Sequence, residues 1–169
     1  MTGILKVDQI QNNTGTTAIT IDGNGYISGK TISPAFVCRQ SADTTLTSGT
    51  MMSLPWIEEL DTHSAVLNGV FTVPAGQAGL YNFSTGITVN AIGASTYIAT
   101  TLFINGSNDA QHEVYNPTGI ANQAVRQVNI ANLSVGDTVE FKVQQGSGSN
   151  KTTGFPQNRK AFFYGFRLG

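Results

Sequence analysis

Charge is scarce in this sequence. Asp, Glu, Lys and Arg make up 11% of the 169 residues and leave a net charge of -1, against roughly 25% charged residues in an average soluble domain. No basic run exists, which argues against nucleic acid as a partner, since a nucleic-acid footprint needs clustered Lys and Arg. Cys38 is the only cysteine, so no internal disulfide can form. It sits in the strand-like segment PAFVCRQ and reads as a small buried hydrophobe rather than a reactive thiol. No apolar run approaches the roughly 20 residues of a membrane helix, so no membrane partner is expected. The opening residues MTGILKVD lack the apolar core of a secretory signal. The expectation is a protein made and kept soluble in a cytoplasm, with lysis or assembly carrying it further. No ten-residue window carries helical periodicity.

Catalytic groups are equally thin. His63 and His112 are the only histidines, and neither stands at metal-ligand spacing. Asp61-Thr62-His63 and His112-Glu113 each offer half of an acid-base pair, but polar loop residues account for both. Glu58, Glu59 and Asp61 form the densest acid cluster and read as solvated loop acids rather than a cation site. No phosphate loop, dinucleotide fingerprint or nucleophile elbow is present. The chain therefore reads as a non-enzyme, with no cofactor and no metal.

What the sequence does hold is short strands. Leu80 to Val89 is the longest clean alternation. Tyr81, Phe83, Thr85, Ile87 and Val89 point one way, and Asn82, Ser84, Gly86 and Thr88 the other, as in a half-buried central strand. Phe71 and Val73 precede it across a turn at Pro74-Ala75-Gly76-Gln77. Tyr97 to Ile104 is a β-branched and aromatic run that ends in Asn105-Gly106, a type I′ hairpin signal. Ala124 to Leu133 places Val128 and Ile130 on one face. Val139, Phe141 and Val143 alternate with Glu140, Lys142 and Gln144. Polar loops are expected at 106–111 and 145–153. Many short strands at this spacing indicate a sandwich or closed barrel. The core is expected to hold Phe71, Tyr81, Phe83, Phe141 and Phe166.

The last strand, Ala161 to Leu168, is apolar on both faces. Phe162, Tyr164, Phe166 and Leu168 share one face, which reads as the core side. Phe163, Gly165 and Arg167 share the other, which reads as a subunit interface where glycine admits another backbone.

Residues 1–33 read as a separate arm, with the globular head at 34–169. Three very short strands are separated by turns at Asn12-Asn13-Thr14-Gly15 and Asp22-Gly23-Asn24-Gly25. They carry too little apolar bulk to fold alone, so the arm must pack on its own head, on copies of itself or on a larger assembly. An arm of this kind suits addition to another chain's sheet edge, with Ile4, Val7, Ile10, Ile19 and Ile21 as anchoring side chains.

Two resemblances follow from these motifs. The opening LKVDQIQ, the small polar turn and AITIDGNG are similar to the N-terminal leader of many bacteriophage virion proteins. That likeness implies attachment to a virion and no chemistry. Residues 35–169 resemble the globular head of complement component 1q and its tumour-necrosis-factor-like relatives. The matching positions are Phe36; Phe71, Pro74, Gly79, Tyr81 and Phe83, with one extra residue between Pro74 and Gly79; Asn105-Gly106; Leu133, Gly136, Asp137 and Val139; and Phe163, Gly165, Phe166 and Leu168. This resemblance implies an antiparallel all-β jelly roll of about ten strands that forms a homotrimer. The chain has no collagen-like Gly-x-y stalk, and sparse acids leave that family's calcium sites without a place. Together the two likenesses imply a structural protein of the virion. Its partners are then itself and the major capsid protein or another virion protein, as a capsid cement or decoration protein. In the alternative it is a short fibre tip that binds a host-surface receptor or glycan through its polar loops.

Overall fold

The computed structural model describes residues 9–11, 17–21, 27–28, 33–119, 121–154 and 161–168. The chain divides into two compact units, 1–32 and 33–169. In the first, β1 (Gln9–Gln11), β2 (Thr17–Ile21) and β3 (Ile27–Ser28) form an antiparallel sheet in the order β1-β2-β3. Ile19 and Ile21 lie in β2, and Ile10 in β1 is exposed. Ile4 and Val7 lie outside the described residues.

The second unit is an antiparallel jelly-roll sandwich, and no helix occurs among its described residues. Its strands are β4 (Ala35–Gln40), β5 (Thr45–Leu46), β6 (Met52–Ser53), β7 (Trp56–Asp61), β8 (Val66–Leu67), β9 (Val70–Thr72), β10 (Gly79–Asn90), β11 (Thr96–Ile104), β12 (Ser107–Asn116), β13 (Asn122–Leu133), β14 (Thr138–Gln145), β15 (Lys151–Thr152) and β16 (Phe162–Arg167). One sheet runs β13-β10-β16-β4-β7. The other runs β12-β11-β14-β9-β8, with β6 also on β14, and β5 pairs with β15.

Alternation decides which side chains meet between the sheets. On β10 the run Tyr81, Phe83, Ile87 and Val89 is buried, and on β14 so are Val139, Phe141 and Val143. Two clusters result. The first is aromatic and holds Phe36, Phe71, Tyr81, Phe83, Phe141 and Phe163. Phe163 sits at its centre, edge-on to Phe36 at 4.8 Å and to Phe141 at 5.0 Å between ring centroids. Such aromatic pairs add about 0.5–1.5 kcal/mol each beyond area burial. The second cluster is aliphatic and includes Leu46, Leu54, Ile87, Val89, Ile98 and Val143. Trp56 packs against both clusters.

Several stretches expected to be loops hold strand, including Gln145 at the end of β14 and Lys151–Thr152 of β15 within 145–153. Residues 107–111 belong to β12, because the hairpin turn is only Asn105-Gly106, with φ of 52° and 75°. A two-residue type I′ turn matches strand twist and lets pairing resume at once. The acid cluster Glu58, Glu59 and Asp61 lies on β7, not in a loop. This strand is the free edge of the five-stranded sheet, and exposed charges on an edge discourage pairing with another chain.

The chain enters and leaves the head at the same end. Arg167 N donates to Pro34 O at 3.0 Å, and Leu168 N donates to Leu80 O at 2.8 Å. At the opposite end, two loops are laced together. Gly49 N donates to Gln145 O at 2.7 Å, and Gly148 N donates to Ser48 Oγ at 2.8 Å.

Candidate functional site

The last strand faces the other way from the expectation. Phe163 is 0% exposed and Gly165 is buried, whereas Phe166 is 41% exposed. Phe163 and Gly165 are thus corrected from subunit interface to interior, and Phe166 from core to surface, while Arg167 shares their side of the strand but is only half-buried. The cause is space. A β-carbon on Gly165 would lie 2.6 Å from the Phe83 ring and 2.7 Å from the Phe36 ring. Only glycine lets both rings fill the centre of the sandwich. Arg167 closes the end of that core, donating from its guanidinium to Gln77 Oε1 at 3.3 Å and Ala78 O at 2.9 Å.

The reversal places apolar side chains on the outside of the five-stranded sheet, where registers align them in rows. One row reads Val128, Ser84, Tyr164, Val37, Leu60 across all five strands. The next reads Ile130, Asn82, Phe166, Ala35. A third reads Arg126, Gly86, Phe162, Arg39, Ile57. Val128 and Ile130 are each 63% exposed, and Leu60, Ile57 and Leu80 are also exposed. Phe162 and Tyr164 stack along the strand, 5.5 Å apart and 17° from parallel. The Arg39 guanidinium lies 5.8 Å from the Phe162 ring centre and pairs with Glu59 at 3.1 Å. The face thus holds two apolar strips, Val128 and Ile130 on β13 and the β16 aromatics with Val37 on β4, separated by Asn82 and Ser84 of β10 and accompanied by Arg126 and Arg39. Exposed apolar surface of this kind marks an interaction surface.

The residues weighed for chemistry do not converge. His112 and Glu113 are neighbours on β12, opposite Thr100 and Ala99, so they point to opposite faces of the sheet. Asp61 spends its carboxylate on backbone, accepting from His63 N at 3.0 Å and Val66 N at 2.8 Å. The His63 ring meets Thr62 Oγ1 through Nδ1 at 2.9 Å. No group of three or more His, Cys, Asp or Glu side chains that could hold a metal ion occurs among the described residues. Burial, reinforced by Glu58, Asp61 and Glu59, pushes the Cys38 thiol up to about 12. The thiolate is the reactive form, so this group is inert in the folded protein. Burial also raises the Tyr81 hydroxyl, with nearby Arg167 opposing it, and that hydroxyl donates to Gln77 O at 2.6 Å.

The outward face was only partly legible. Val128 and Ile130 share a strand face in the sequence, but nothing there said that this face points away from the core. Val125 and Leu133 on the opposite parity were the missed signal, because they anchor the buried side of β13.

No family model and no curated protein matches the chain. Solved structures do. The globular domain of zebrafish complement 1qA protein is 17% identical, with a TM-score of 0.58 over 80% of this chain and 98% of that one. Murine APRIL at pH 5.0 is 11% identical, with a TM-score of 0.59 over 80% of this chain and 99% of that one. What the chain shares with them is the fold, the jelly roll of complement-1q and tumour-necrosis-factor-like proteins.

Proposed function

We propose that the chain is a non-enzymatic structural protein that forms a homotrimer through the outward face of its five-stranded sheet. The observation that carries this reading is the set of aligned rows on that face, with Val128 and Ile130 at one margin and Tyr164 and Phe166 in the middle. Threefold closure is heterologous, so each chain must offer two different patches to its neighbours. The ridge of Val128 and Ile130 on β13 is one patch, and the β16 aromatics with Val37 are the other.

The homotrimer is then fixed to a bacteriophage particle by residues 1–33, the arm that resembles a virion leader, with residues 34–169 as the head. The cement or decoration role is supported by shortness: only a few residues separate the last strand of the arm, β3 (Ile27–Ser28), from the first strand of the head, β4 (Ala35–Gln40). The fibre-tip reading rests on a different observation. The laced loops around Ser48 and Gly148 lie at the end of the head away from Pro34, where a polar surface is free to meet a host glycan.

Light scattering on the purified chain tests the assembly. The expected mass is three times 17.9 kDa, and a Val128→Asp, Ile130→Asp double variant should run as a folded monomer. A parent protein that is monomeric at micromolar concentration sinks the proposal. Mass spectrometry of separated heads and tails decides between cement and fibre.

A further inference from the structure

We infer that the sandwich holds one internal water molecule that bridges its two sheets at the seam between the aromatic and aliphatic clusters. A cavity of about 10 Å³ lies there, lined by Leu54, Trp56, Thr85, Ile87, Thr100 and Phe141, among others. About 10–15 Å³ is the space one water needs, and a buried water also needs polar partners. Both conditions meet here. Thr100, on β11 of one sheet, is 2% exposed, and no protein group bonds its Oγ1. Thr85, on β10 of the other sheet, uses its only hydroxyl hydrogen on Phe162 O at 2.8 Å. Its oxygen keeps lone pairs that can accept. A water between them donates to Thr85 Oγ1 and pairs with Thr100 Oγ1.

The alternative is an unpaired hydroxyl in an apolar setting, which is costly. Threonine at 100 is otherwise hard to understand, since valine has nearly the same shape and the flanking inward positions, Ile98 and Leu102, are buried hydrophobes. The water gives that hydroxyl a function: it joins β10 to β11 through Thr85 and Thr100, whose Oγ1 atom has no protein partner.

The sign of one substitution tests this. If the water is present, Thr100→Val strips it of a partner, and the midpoint temperature should fall by about 2–4 °C, the shift expected per kcal/mol at this chain length. If the site is dry, the same variant removes an unpaired buried hydroxyl and the midpoint should rise. A crystal structure of the unaltered full chain gives the second measurement, and it stands even if the variant fails to fold. Solvent density within hydrogen-bond distance of Thr100 Oγ1 is expected. A featureless cavity, or a rise in the midpoint temperature of Thr100→Val, overturns the inference.

Discussion

Phe162 stands directly across from Gly86, and its ring occupies the space a side chain at Gly86 would take. A β-carbon there would lie 2.5 Å from the ring. The glycine is what lets an aromatic ring lie flat on the outer surface of the sheet and stack with Tyr164. Local backbone geometry does not demand it, since Gly86 is absent from the positive-φ positions.

Gly86→Ala therefore tests the face without attacking the fold. The ring edge that meets the new methyl is the far end of a side chain on the outer face, so it can swing outward. Thermal stability of the subunit should stay within a few degrees of the parent. Self-association, measured by sedimentation across a dilution series, should weaken by an order of magnitude or more because the flat surface is lost. Unchanged association would remove Phe162 from the interface.

Gly165 makes the opposite case. Its neighbours are the buried rings of Phe36 and Phe83, which have nowhere to go. Gly165→Ala overpacks the centre of the sandwich and should cost about 1–3 kcal/mol. Phe83→Ala, which opens a cavity at the same place, should cost about 3–5 kcal/mol. Chemical denaturation of both variants checks the pair. If either leaves the urea midpoint where it was, these rings do not pack as described.

This pair of glycines also locates the limit of sequence reading. Period-two alternation was enough for β10 and β14, because each has one apolar and one polar side, and Tyr81, Phe83 and Phe141 are indeed buried. It failed on β16, where Phe162, Phe163, Tyr164 and Phe166 put rings on both sides. A one-residue change of parity swaps every side chain between core and surface. Nothing local to FFYGFR says which parity is right. The answer lies in Phe36 and Phe83, distant in sequence, whose rings need the space above Gly165. The Asn105-Gly106 turn was legible for the converse reason, since its chemistry is local. The acids of β7 were misplaced because charge normally signals a loop, whereas here it guards a sheet edge.

Asp137 gives a pH dependence with a definite sign. Its carboxylate accepts from Asn105 Nδ2 at 2.9 Å and from Ser134 N at 2.8 Å, and these bonds hold its pKa below the usual carboxylate value. A carboxyl with a depressed folded pKa takes up its proton more readily in the unfolded chain. Its contribution to stability is complete above the unfolded value and is lost as pH falls through the folded one. The difference in urea midpoint between the parent and Asp137→Asn should thus be present at pH 7 and shrink below about pH 4. A difference that stays constant down to pH 2 would show that the charge at this turn is not what matters.

Attachment is tested by dividing the chain where its two units meet. The first unit carries three strands of three, five and two residues, too little sheet for independent stability. Among the described residues its outer strands β1 and β3 each pair on one side only, and the proposed attachment uses such an edge to take a strand from another protein. On the proposed attachment, each such arm binds weakly. Three arms on one trimer would then bind far more tightly, because the second and third engage at high effective concentration. A chain beginning at Pro34 should therefore remain a soluble trimer and lose binding to particles stripped of the protein. The full chain should rebind, and a full chain made monomeric by Val128→Asp and Ile130→Asp should rebind at least a hundredfold more weakly, since avidity of this kind is typically worth about 10²–10⁴. Full binding by the truncated trimer would move the contact from the arm to the head. Rebinding confined to tails would favour the fibre over the cement.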